Sequence, residues 1–477
     1  MSTSIYESII SLLKNKHFKQ AEILIIPWLR QDKLDAQLWV FLGEALLQQG
    51  YGLAANRVFQ RAWLLDPQAS WVQKAFNSLK QVPDGDERYD IEGLLHVPKV
   101  SIAAAILSFN EEMNIGRCIE ALQDAVDEIV LIDSSTDKTE SIAANYDKVK
   151  IVKIDWNDSF ADARNKGLQH IQSDWVVWID ADEVLASEDK SSIKEVAGLF
   201  HGASPIPALH VWHLNQVRGS VQHDFSQTRM FPMRRGLRFW GRIHEQLGTQ
   251  EGIFNKDIVR RSVKIRLHHN GYEPAVLQNR NKIERNLRLL NMMIREEPNN
   301  PGHWLFYGRE SIAGGFKEQA QAALHQAEQL AQSTPHFGSI LEIYKLLIFL
   351  SIESKDYRQA EAYCHKALEH NLDYPDAHYL LAQVRMKQAD ELFRQAENSL
   401  KQSIHSLSTY RCNVTPDYQI GEWKAEVALG ELAMRAGKLS NAKRIFAKHA
   451  NRPELQTGLA QKLTNIEAER QRLNQIP

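Results

Sequence analysis

A period of about 34 residues, present at both ends of the chain and missing from its middle, restricts the fold more than any other feature. With Ala36 at the first position of the frame, Trp39, Leu42 and Gly43 fall at positions 4, 7 and 8, Ala55 at 20, Phe59 at 24, Ala62 at 27 and Pro67 at 32. Small residues at 8, 20 and 27 let two antiparallel helices approach closely. Large residues at 4, 7 and 24 fill the seam between them, and the proline stops the second helix. One frame earlier, from Ser2, the residues Ile5, Ile9, Leu12, Ala21, Ile25 and Trp28 fit more loosely. The frame returns from Pro301 with Trp304, Tyr307, Gly308, Ala320, Leu324 and Ala327, and from Leu341 with Tyr344, Leu347, Ala360, Cys364 and Ala367. From Pro375 it holds through His378, Leu381 and Ala382, then loses register near Ala396 and Leu400; it recovers from Trp423 with Leu429, Gly430, Ala433, Ala442 and Phe446.

These positions resemble the tetratricopeptide repeat, which implies helix-turn-helix units that stack into a concave surface for a peptide, an acceptor or a protein partner. Plain amphipathic helices are the alternative. The expected organisation is N-terminal repeats over 1–82, a linker over 83–99, a central domain over 100–275, a connecting helix over 276–300 and C-terminal repeats over 301–470.

The central domain follows another pattern. Strands are expected at Ser101 to Leu107, Glu128 to Ile132, Lys150 to Ile154 and Trp175 to Ile179, with helices at Asn114 to Ala125, Thr139 to Tyr146 and Ala161 to Ile171 between them. Such alternation predicts right-handed βαβ units on a parallel sheet, whose ligands bind beyond the carboxyl ends of the strands. Those ends carry Ser108-Phe109-Asn110-Glu111-Glu112, Asp133-Ser134-Ser135-Thr136-Asp137 and Asp180-Ala181-Asp182-Glu183. An Asp-x-Asp after an apolar strand suits a hard divalent cation that keeps water and phosphate oxygens in its remaining positions. Each residue also has a plainer use: Asp133 or the hydroxyls after it could cap the next helix, and Arg164 could pair with Asp158 or Asp162.

Together with Ala163-Arg164-Asn165-Lys166-Gly167 and Trp178-Ile-Asp-Ala-Asp-Glu183, these segments resemble a family-2 glycosyltransferase with a GT-A fold. The resemblance is strongest to the soluble bacterial branch carrying tetratricopeptide repeats, which includes enzymes like the lipopolysaccharide core glucosyltransferases and the S-glycosyltransferases of glycopeptide bacteriocins. It implies an α/β, Rossmann-like nucleotide-diphospho-sugar transferase domain flanked by all-α repeats. It further implies that Asn110, Glu111 and Asp133 face a uridine, that Arg164 lies near the base or the phosphates, and that Asp180 and Asp182 bracket ribose and metal, Asp182 being the ligand. The donor is then a UDP-sugar and the cofactor Mn²⁺ or Mg²⁺.

Downstream, Gly241-Arg-Ile-His-Glu245 resembles the segment that closes the acceptor side, and His269-Asn-Gly-Tyr272 the family's His-x-Gly-Tyr. Inverting transfer needs a base to take the acceptor's proton; Glu245 is the first candidate and Glu183 the second, either of which could instead be a structural ion-pair partner. His269 could complete the metal shell or touch a phosphate. Between Arg229 and Arg266 stand ten Lys or Arg against three acids, a basic stretch expected to face a diphosphate or an anionic acceptor, or to be solvated.

The whole chain contradicts a generally basic nucleic-acid binder, since 57 Lys plus Arg balance 59 Asp plus Glu for a net charge of −2 over 477 residues. Apolar runs such as Ala103 to Leu107 fall far short of the ~18 to 20 residues needed to span a bilayer. Cys118, Cys364 and Cys412 are scattered, and the first residues show no basic-then-apolar leader, so a reducing cytoplasm is expected. The resemblance therefore implies a metal-dependent inverting transferase of a UDP-linked hexose to a protein, peptide or glycan. The alternative is a repeat scaffold whose centre binds nucleotide-sugar without turnover.

Overall fold

The computed structural model describes residues 2–217, 219–253, 256–269, 276–335 and 337–474. The Asn270 to Tyr272 part of the His-x-Gly-Tyr resemblance lies outside them. The chain divides into two compact units, 1–338 and 339–477.

Helix pairs form where the 34-residue period puts them: Ala36–Gln48 with Gly52–Leu65, Pro301–Ala313 with Lys317–Ser333, Ile340–Glu353 with Tyr357–His370, and Ala425–Arg435 with Leu439–His449. The small-against-large rule is visible in atoms. A Cβ added at Gly43 would sit 2.5 Å from Phe59 Cε1, one at Gly308 2.7 Å from Leu324 Cγ, and one at Gly430 2.7 Å from Phe446 Cε1. Each glycine lets the second helix's large side chain lie directly on the first helix's backbone. Asp35, Asn300 and Asp356 cap their helices by accepting from the backbone N–H of Leu38, Gly302 and Gln359.

Where the frame slips, the chain does not turn. Pro375–Thr409 is one helix of 35 residues. After Pro375 this segment has no glycine or proline, and it is rich in Ala, Leu, Gln, Glu and Lys, so nothing breaks it where a repeat would place its loop.

The central sheet begins with β1 (Ile102–Ser108), β2 (Glu128–Asp133), β3 (Val149–Lys153) and β4 (Trp175–Asp180). It continues with β5 (Glu183–Leu185), β6 (Ile206–Val217), β7 (Ser220–Asp224), β8 (Thr228–Pro232) and β11 (Ile258–His269), while β9 (Arg238–Trp240) and β10 (Gln246–Gly248) form a separate ribbon. Among the described residues the strand order is β3-β2-β1-β4-β8-β6-β11-β5, with β7 on the side of β6. The first four strands are parallel, β8 runs antiparallel to β4 and β6, and β5 runs antiparallel to β11. Residues from Ile102 to Ile106 and from Trp175 to Ile179 are all buried, as strands covered on both faces must be.

The N-terminal helices pack against this domain within the first unit. Arg61 bridges Glu195 at 2.6 Å and the Leu95 carbonyl at 2.6 Å, Arg261 donates to the Leu34 carbonyl, and Lys264 lies over the Trp63 ring. One apolar core runs from Ile9 through Trp39 to Leu267. Among the described residues no helix is long and apolar enough to cross a membrane.

Candidate functional site

The ends of β1 and β2 are stapled by short polar side chains. Ser108 Oγ and Ser135 Oγ both donate to Asp133 Oδ1, at 2.5 and 2.6 Å. The Asn110 amide donates to Ser135 Oγ at 2.8 Å, and Asn110 Oδ1 accepts from the Thr136 amide at 2.9 Å. Asn110 sits at φ 57°, a left-handed conformation that asparagine tolerates better than most residues. Next along, the Glu111 amide donates to Thr139 Oγ1 and the Glu112 amide to Asp137 Oδ2. Burial pushes the Glu111 carboxyl up, and the negative charges of Asp182, Asp137 and Asp180 add to that against a hydrogen bond from Asn114.

Beside this lip lies a carboxylate–guanidinium core. Arg229, on β8, forks onto Asp180, with Nη1 to Oδ1 at 2.8 Å and Nη2 to Oδ2, and its Nη2 also lies 3.3 Å from Glu183 Oε1. Arg164 Nη2 reaches Asp180 Oδ1 at 3.3 Å, and Arg164 Nε donates to Glu245 Oε1 at 2.6 Å. The Arg164 guanidinium lies 4.6 Å from the Trp178 ring centre and 5.5 Å from that of Phe239. Its helix, Phe160–Leu168, approaches the strand ends because Gly167 rests on Ile132, where a Cβ would be 2.6 Å from Cγ1. Burial alone would raise the Asp180 carboxyl; the two guanidiniums overrule it and hold the group far below the ordinary carboxylate range.

The acids after β4 separate by role. Glu183 is buried: Oε2 accepts from the Asp180 amide at 2.8 Å, and Oε1 faces Arg229 and, at 3.0 Å, His213 Nε2. Its carboxylate is consumed inside the protein. Asp182 points outward, its Oδ2 2.9 Å from Nε2 of His269, whose Nδ1 is 3.2 Å from Asn215 Oδ1. The side chains of Asp182 and His269 are 35% and 20% exposed, open enough for a ligand. The hydrogen bond that His269 donates to Asp182 holds its pKa up, against burial.

Among the described residues no group of three or more His, Cys, Asp or Glu is placed to hold a metal. The Asp182–His269 pair offers one hard oxygen and one imidazole nitrogen, a donor set that suits Mn²⁺ or Mg²⁺ if diphosphate oxygens and water supply the rest. Asp180 has both oxygens committed to Arg229.

Across the cleft, Glu245 ends the loop that starts at Gly241. The helix Phe160–Leu168 meets this loop through the Phe160 amide, which donates to the Arg242 carbonyl at 2.8 Å, and Asn165 pins β9 with a reciprocal pair of bonds to Phe239 at 2.8 and 2.9 Å. Arg164 therefore pairs with neither Asp158 nor Asp162: Asp158 is taken by Arg288 at 2.6 Å, and Asp162 accepts from Asn157.

The basic stretch is dispersed rather than presented as a grip. Arg229 serves Asp180, Arg242 serves Glu296, and Lys264 and Arg266 both serve the buried Asp189. Arg234, Arg235, Arg260 and Arg261 donate to carbonyls of Gln172, Ala203, Leu247 and Leu34, and Arg238 stacks on Trp240. Of the ten basic residues, four pair with acids, four donate to backbone carbonyls and one stacks on a ring.

The structure thus gathers Asn110, Glu111, Asp133, Arg164, Asp180, Asp182, Glu245 and His269 beside the carboxyl ends of β1, β2 and β4 and buries Glu183 among them. Sequence reasoning missed Arg229 as the clamp of Asp180 and Asn215 as the partner of His269. The only signal for Arg229 was its place in the basic stretch, which it shared with nine others.

The sheet domain is similar to family-2 glycosyltransferases, and the helix pairs around it are of tetratricopeptide type. Residues 104–198 match the sequence profile of glycosyl transferase family 2. The SPbeta prophage-derived glycosyltransferase SunS of Bacillus subtilis is 32% identical over 213 residues, 44% of this chain and 49% of its own. A TPR repeat-containing protein of Synechococcus elongatus is 27% identical over 243 residues, 50% of this chain and 57% of its own. The lipopolysaccharide core biosynthesis glycosyltransferase LpsC of Rhizobium meliloti is 34% identical over 94 residues, 19% of this chain and 34% of its own. The chain spans about half the length of SunS and of the Synechococcus protein.

Proposed function

We propose that the chain transfers a hexose from a UDP-sugar, with inversion and dependence on Mn²⁺ or Mg²⁺, to a protein, peptide or glycan acceptor held or delivered by the helical repeats. Action in the cytoplasm belongs to the same reading. What supports it is the grouping at the strand ends: a stapled acidic lip, a partly open Asp182–His269 pair and an Arg164–Glu245 pair lie together by the carboxyl ends of parallel strands, where such sheets bind ligands.

In this reading the lip of Asn110, Glu111 and Asp133 receives the uridine. The two serine hydroxyls converge on Asp133 Oδ1, so Oδ2 is the oxygen that turns to the ligand. Asp180, locked by Arg229, presents a fixed edge to the ribose. Asp182 and His269 would hold the cation, which when bound neutralises the diphosphate as the sugar leaves. Arg164 bears on the phosphates from the opposite side. Glu245 is the base, and it is freed from its ion pair as Arg164 turns to the incoming diphosphate. Glu183 orients Asp180 and Arg229 and takes no proton from the acceptor.

Incubation with Mn²⁺ or Mg²⁺ and a panel of UDP- and GDP-sugars tests this reading. Donor hydrolysis or transfer that vanishes in Asp182→Ala is expected. Tight donor binding with no turnover on any acceptor would instead support the scaffold alternative. Glu245→Gln should keep donor affinity while losing rate, and unchanged transfer would remove Glu245 as the base.

A further inference from the structure

The loop that carries Glu245 is built into the first C-terminal helix pair. It contains two residues at positive φ, Gly241 at 94° and His244 at 50°, and a histidine in that region needs support from its surroundings. The support comes from the helices Val276–Glu296 and Pro301–Ala313. Ile243 is buried with Leu289, Leu290 and Met293. A Cβ at Gly241 would lie 3.0 Å from Met293 Cε. Arg242 makes a forked pair with Glu296, with Nη2 to Oε1 at 2.6 Å.

His244 is held most closely. Its ring stacks on Phe306 at 4.9 Å between centres, Arg309 Nη2 is 3.4 Å from its Nδ1, and its Nε2 is 3.2 Å from Glu310 Oε1. A guanidinium only donates, so Nδ1 accepts, and Nε2 lies at ion-pair distance from the carboxylate without the angle of a hydrogen bond. Glu310, with a side chain 14% exposed, is itself fixed by Asn286, whose Nδ2 donates to Oε2 at 3.1 Å. The same helices reach the other half of the Arg164–Glu245 pair, since Arg288 grips Asp158 and Arg285 lies over Phe160, at the start of the Arg164 helix.

We propose that Glu310 is a positioning residue for Glu245, acting through His244, so that the first C-terminal helix pair is part of the catalytic apparatus rather than an appended arm. This rests on reading Glu245 as the acceptor-side base. A ligand that moves the helix Pro301–Ala313 would then alter the rate at the cleft without touching the donor.

The test uses the full chain with Glu310→Ala and Glu310→Gln, read by kcat and KM for the donor, by amide exchange over residues 241–247 and by thermal midpoint. Glu310→Ala should lower kcat by about 10- to 100-fold, the loss expected when a reacting group is displaced by about 1 Å. Donor KM should stay within about twofold, and exchange should quicken in the loop while β1 and β4 keep their protection. Glu310→Gln, which retains an oxygen for the imidazole, should stay within about fivefold of the parent kcat, because a neutral acceptor preserves the geometry. Unchanged kcat and loop exchange in Glu310→Ala would overturn the proposal, and so would exchange that quickens evenly over the whole domain. If the parent protein turns over no donor, the transferase reading fails, and loop exchange alone then decides whether Glu310 positions the loop.

Discussion

At the scale of single residues, burial decides which charges the cleft can spare. Arg229 is buried among carboxylates, and removing it would leave Glu183, with a side chain 4% exposed, without its strongest cation. Breaking a buried pair in this way costs about 3 to 5 kcal/mol; Asp180, at 39% exposed, is partly rescued by water and brings the expectation to the lower end. Arg229→Met should therefore lower the urea midpoint substantially, and a variant of parent stability would show that the clamp is dispensable. Glu183→Gln should destabilise the fold for the same reason, and whatever rate loss it brings should follow the folded fraction, since its carboxylate is buried against Arg229 and the Asp180 amide. The sequence offered Asp180 and Asp182 because they follow an apolar strand, and Arg164 and Glu245 through the family resemblance of the segments that carry them. It divided their roles less well, because Asp180 and Glu183 differ from Asp182 only in which cation folds back upon them.

At the scale of elements, the helix pairs make a prediction with opposite signs at two glycines of the second unit. Gly430 touches the Phe446 ring, so Gly430→Ala forces a Cβ to 2.7 Å from Cε1 and should cost about 1 to 3 kcal/mol by overpacking. Gly458, within the helix Gln456–Asn474, has no atom within 4 Å of an added Cβ, so Gly458→Ala should gain about 0.5 to 1 kcal/mol from helix propensity. Thermal unfolding of the two variants checks both signs, and equal shifts would contradict the packing account. The period also located the pairs themselves, because each is specified within a short span of chain. It placed a unit after Pro375 that does not turn, since a repeat's seam residues do not make a loop without a residue that stops the helix.

At the scale of the whole molecule, the buried cluster of Asp189, Lys264 and Arg266 ties the helical side of the sheet domain to β11, and Lys264 continues to Trp63 of the N-terminal helices. Burial alone would raise the Asp189 carboxyl, but Arg266 and Lys264 hold it below its ordinary value. A depressed carboxylate contributes stability that is full above the unfolded pKa of about 3.9 and is lost as pH falls through the folded value. The unfolding midpoint should therefore drop on acidification below about pH 4, and Asp189→Asn should remove part of that slope while lowering stability at neutral pH; an unchanged slope would contradict the assignment. What the sequence by itself determined is local: the 34-residue period, the first four strands within a residue or two, and the acidic ends those strands carry, all written in spacings of a few residues. What only the tertiary structure decided is where the charges go. Arg229 meets Asp180 across 49 positions and Arg164 meets Glu245 across 81, and no local spacing records a contact that depends on the strand order and on helices closing over a loop.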